Sequence, residues 1–102
     1  MIRHIVLVKF RPELERAEID IMLNSVIALK DRIDGIVAIT AGENNSPEGL
    51  EKGFSYGFTV DFTDMVARDA YLPHPEHVKV GKSLVEATES GPDGILVFDY
   101  EI

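Results

Sequence analysis

Cysteine is missing from this chain of 102 residues. No disulfide, thiolate nucleophile or zinc–sulfur site can therefore form. Positive charge is scarce. Ten Lys and Arg stand against eighteen Asp and Glu, a formal net charge of −8. Nucleic acids and anionic membranes ask for a basic face, so neither is an expected partner. Long apolar runs are lacking too; none approaches the roughly 20 residues of a membrane span. The apolar opening "MIRHIVLVKF" is broken by Arg3, His4 and Lys9, and no small-residue cleavage site follows it. It does not read as a signal peptide. The expectation from these absences is a soluble cytoplasmic protein. "AGENNSPEG" lacks the glycine spacing of a phosphate or dinucleotide loop, and no Ser–His–Asp arrangement stands out.

What remains is an ordinary globular mix, 45% apolar and 27% charged. The length fits one domain over residues 1–102. "IRHIVLVKF" (2–10) reads as a strand, with Ile2, His4, Val6, Val8 and Phe10 on one face. From Leu14 to Ile33 apolar residues recur at helical steps, and the Asp34–Gly35 pair stops the helix. "IVAITAGE" (36–43) is a second strand, and "NNSPEGLEKG" (44–53) is a loop. "FSYGFTVDF" (54–62) alternates strictly. A helix capped by Thr63 or Asp64 runs to Leu72, where Pro73 and Pro75 break it. Another runs from Pro75 or Glu76 to Glu89, with a kink expected at Gly81. "ILVFDYE" (95–101) closes the chain as a strand.

The order β-α-β-β-α-β predicts an α+β fold of the ferredoxin-like kind, a four-stranded antiparallel sheet with helices on one face. The opposite face ought to be polar in a monomer. It is not: Ile5 and Leu7 oppose Val6 and Val8, and Leu96 and Phe98 oppose Ile95 and Val97. A second copy is the simplest cover, so the chain is expected to form a homodimer through its sheet face.

Histidine is rare, three residues in all. His74 and His77 lie in "AYLPHPEHV" just after Tyr71, and His4 sits in the first strand. The segment is open to three readings. In an acid–base site, a histidine removes a proton next to a carbonyl and a tyrosine hydroxyl stabilises the enolate oxygen. In a metal site, His74 and His77 share a face with Glu76 or Asp69 near, but no signature completes the ligand set. In pure architecture, "PHP" shapes the helix entry, and Tyr71 packs at a helix end with His77 bonding its hydroxyl. His4 on the helix-facing side is either a neutral imidazole for chemistry or a core residue satisfied by one backbone carbonyl.

The chain resembles the stress-responsive A/B barrel (Dabb) family. "HIVLVKF", "GI" at Gly35–Ile36, "AGEN", the Y-x-x-H-P-x-H segment "YLPHPEH" and "ILVFDYE" carry the resemblance, which spans essentially the whole chain. It implies a dimeric α+β barrel. One member is a polyketide cyclase that closes a linear thioester by aldol-type condensation, in a pocket between sheet and helices. Through that member the resemblance implies Tyr71 and His77 as catalytic residues, with His4 and His74 lining the pocket. The tyrosine of that member's first helix has no match in "NSVIALK". Such a step calls for no cofactor and no metal. A small-molecule ligand is the further expected partner. The alternative is a non-enzymatic, stress-related or ligand-binding dimer.

Overall fold

A computed structural model describes residues 1–102. Four strands are present: β1 (Ile2–Val8), β2 (Ile36–Glu43), β3 (Tyr56–Phe62) and β4 (Ile95–Glu101). Three α-helices join them: α1 (Arg16–Ile27), α2 (Met65–Tyr71) and α3 (Pro75–Ala87). The sheet order is β2-β3-β1-β4, and every neighbouring pair is antiparallel. This is the expected ferredoxin-like fold.

Burial follows the pleat. In β1, Ile2, His4, Val6 and Val8 are buried, while Arg3, Ile5 and Leu7 are half-buried. His4 faces Val60 of β3 on one side and Asp99 of β4 on the other. Phe58, Val60 and Phe62 share this face with Ile39 of β2. Ile19, Leu23 and Val26 of α1 and Leu84 of α3 complete the core over it.

The elements differ from the expectation at their ends. The helix predicted over 14–33 is α-helical only to Ile27 and tightens into a 3₁₀ turn over Ala28–Asp31. Such tightening is common at a helix C-terminus. Leu29 and Ile33 stay buried through it, so the apolar stripe still reads as helical. β1 stops at Val8, and Phe10 instead bridges Thr88. α3 passes through Gly81 unbroken and ends at Ala87.

Gly35 fixes the entry to β2. Its φ is +91°, and a Cβ there would lie 2.6 Å from the Ala67 Cβ. Only glycine satisfies both the left-handed turn and the contact with α2. No helix is long and apolar enough to cross a membrane.

The uncovered face is divided. At β2 and β3 it is polar, with Thr40 bonded to Thr59 and Arg3 gripping Asp61 through two bonds of 2.9 and 3.0 Å. At β4 it is apolar. Leu96, Phe98 and Tyr100 are exposed, Phe98 by 60%.

Candidate active site

Pro73 and Pro75 set the site's corner. Proline at the first position of α3 suits a helix start, because its missing N–H would have no partner there. His74 is the residue before it, in extended backbone, and its Nδ1 accepts the Glu76 N–H at 3.1 Å. His74 is thus the N-cap of α3. It does not line the cavity described below, so the expectation that it would is corrected: its acceptor nitrogen is spent on the helix end.

The turn carries His77 back over Tyr71. Their rings lie 4.1 Å apart, tilted by 32°. His77 does not bond the Tyr71 hydroxyl, as the architectural reading had it. Its Nδ1 lies 2.9 Å from the Leu72 carbonyl oxygen. A carbonyl only accepts, so Nδ1 carries the proton and Nε2 is left free. Burial lowers the His77 pKa below its ordinary value; the Leu72 carbonyl opposes this in part, and the nearby His4 and His74 add to it.

Tyr71 is only 2% exposed and forms a cluster of edge-packed rings with Phe62, at 4.9 Å, and His4, at 5.9 Å. Burial pushes its phenol up to about 12. The hydroxyl therefore stays protonated near neutrality and can donate a hydrogen bond.

His4 is buried at 5% exposure. The core-residue reading of His4 gives it a backbone carbonyl as partner. The structure supplies a carboxylate instead: Asp99 Oδ1 lies 2.7 Å from Nδ1. The carboxylate accepts, so Nδ1 donates and Nε2 is the nitrogen left for other work. Asp99 Oδ2 accepts from Arg68 at 2.8 Å, and Arg68 Nε also donates to Asp69 at 2.7 Å. Asp99 and Arg68 were missed from sequence. A carboxylate two residues after Val97, on the same face of β4, was the available signal.

One cavity of about 220 Å³ brings three of the four expected residues together. His4, Tyr71 and His77 line it; Val26 and Leu29, from the "NSVIALK" segment, face it too. Val97 and Leu72, 55% and 44% exposed, mark its opening beside the edge strand β4. A larger groove of about 600 Å³ lies under the 44–54 loop at the end of the uncovered sheet face. It holds none of the histidines. No three His, Cys, Asp or Glu side chains gather closely enough to hold a metal ion.

The family model of the stress responsive A/B barrel domain matches residues 2–102. The chain belongs to this family. Olivetolic acid cyclase from Cannabis sativa is 23% identical over 99 residues, 97% of this chain and 94% of the cyclase. Among solved structures, a dimeric ferredoxin-like protein of unknown function from Jannaschia sp. CCS1 is 33% identical, with a TM-score of 0.89 over 99% of this chain and 98% of its own. The hydroxynitrile lyase of Passiflora edulis, 21% identical, shares the fold with a TM-score of 0.87 over 99% of this A/B barrel chain and 92% of the lyase.

Proposed function

We propose that this A/B barrel protein is a homodimer that binds a small carbonyl compound in the 220 Å³ cavity and acts on it without a cofactor, as a cyclase, lyase or isomerase. The observation that carries the reading is the meeting of a phenol and two imidazoles on one otherwise apolar cavity. The volume lies below the roughly 300–1,000 Å³ of drug-sized sites, which favours a compact substrate.

His77 is the base. Its Nε2 takes the proton from the carbon beside the carbonyl, and its lowered pKa keeps it unprotonated and ready at neutral pH. Tyr71 donates its hydroxyl hydrogen bond to the oxygen where enolate charge develops. The enolate carbon then attacks a second carbonyl of the same substrate, forming a C–C bond, or is reprotonated elsewhere. His77 returns the proton. His4, fixed by Asp99, lines the cavity wall. The likeness to olivetolic acid cyclase supports a polyketide-like substrate. The dimeric relative and the apolar β4 face support the homodimer.

A non-enzymatic ligand-binding dimer is the second reading. The His77–Leu72 bond and the ring stack favour it, since both build the corner between α2 and α3 on their own. Cyclisation of a linear poly-β-ketone, followed by absorbance of the aromatic product, separates the two. The enzyme reading expects acceleration over buffer that Tyr71→Phe and His77→Gln both remove while the fold persists. A wild-type rate equal to buffer contradicts it, and so does loss of activity only through unfolding.

A further inference from the structure

Gly81 sits in the middle of α3, where glycine is among the poorest helix formers. A helical glycine usually answers to a left-handed turn or a close backbone approach. Neither applies. Gly81 is not among the glycines with positive φ. Apart from the helix's own backbone, a Cβ there would meet one atom within 4 Å: the Nε2 of His77, one turn earlier, at 3.9 Å. That is an ordinary contact distance. The missing side chain relieves no clash. It leaves room on the cavity wall, beside the one His77 nitrogen that the Leu72 carbonyl does not engage.

The lining adds a second constraint. Fourteen residues surround the cavity and none is Lys, Arg, Asp or Glu. Its titratable groups are His4, Tyr71 and His77. A charged group seated there would lie in apolar surroundings without a counter-ion. The net charge of −8 disfavours the approach of anions as well.

We infer that Gly81 is the specificity-determining position of this cavity, and that the group seated against it is compact, uncharged and carbonyl-bearing. Its reacting carbon occupies the space over Gly81, facing His77 Nε2. A ligand's charged portion, where it has one, stays outside the mouth near Val97. This inference rests on the site proposed above.

Imidazole NMR and thermal unfolding of the full chain test it, with cyclohexanone and cyclohexanecarboxylate as probes in wild type and Gly81→Ala. Cyclohexanone is expected to shift the His77 signals of wild type. The carboxylate is expected to bind more than about tenfold more weakly, for want of a counter-ion. Gly81→Ala is expected to raise the melting temperature by about 4 °C, through helix propensity. The same variant is expected to weaken cyclohexanone by about tenfold, the scale of one methyl group in an apolar site. Unchanged cyclohexanone binding in Gly81→Ala overturns this inference and leaves the site reading standing. Equal binding of the two probes overturns the uncharged class. A lower melting temperature in Gly81→Ala makes the glycine structural and overturns its role. No response of His77 to either probe in wild type overturns both the inference and the site.

Discussion

Asp99 reaches His4 with one oxygen and Arg68 with the other, at 2.7 and 2.8 Å. The carboxylate therefore decides which His4 nitrogen carries the proton. Asn at this position keeps an acceptor for that N–H, and Leu does not. Asp99→Leu is expected to cost about 1–3 kcal/mol, the penalty of leaving the His4 donor unpaired, while Asp99→Asn keeps that bond, gives up the ion pair with Arg68 and costs less. Urea unfolding of the two variants checks this; equal losses would mean that His4 does not depend on the acceptor. His77 gives the pH signature. Its folded pKa lies below the ordinary 6.5 because burial disfavours the cation. Between the two values the unfolded chain holds the proton and the folded chain does not. Stability should thus fall as pH drops through the ordinary value and level off below the folded one. His77→Gln should flatten this part of the urea-midpoint profile. An identical profile in the variant would place His77 in ordinary solvent.

At the scale of elements, the corner between α2 and α3 holds the site together. His74 caps α3 and Asp64 caps α2, where its carboxylate accepts from the Ala67 N–H at 2.9 Å. His74→Ala is expected to cost about 1 kcal/mol, as cap losses do, with the cavity residues still in place. A stability loss without a change in ligand response would confirm a capping role; lost ligand response at unchanged stability would make His74 part of the site. The chain's elements were legible because their periodicity is strong. β1 alternates without error, and "ILVFDYE" matches β4 residue for residue. Tyr71 and His77 were legible because they are close in sequence, joined by a proline-set turn. The His4–Asp99 pair was not. Its members are 95 positions apart, and only the β1–β4 register brings them opposite. The 3₁₀ tightening after Ile27 was equally hidden, since it leaves the buried stripe of Leu29 and Ile33 intact.

At the scale of the whole molecule, a 102-residue chain leaves one face of its sheet uncovered. Leu96, Phe98 and Tyr100 stand exposed there, beside half-buried Ile5 and Leu7. Covering such a patch with its own copy removes apolar surface from water at no cost in further chain. Phe98→Glu places two like charges into the proposed interface. It is expected to turn a dimer into a monomer in analytical ultracentrifugation and to lower thermal stability. A wild type that sediments as a monomer, or a Phe98→Glu variant that stays dimeric, would remove this face from the assembly.

In the proposed reaction His77 takes a proton from beside a carbonyl while Tyr71 steadies the resulting enolate. Deuterium uptake at the α-carbon of cyclohexanone in D₂O, followed by NMR, measures that step without knowledge of the physiological substrate. Exchange faster than in buffer is expected with wild type, and exchange at the buffer rate with folded His77→Gln and Tyr71→Phe. Exchange at the buffer rate with wild type, under conditions where the ketone binds, would contradict it.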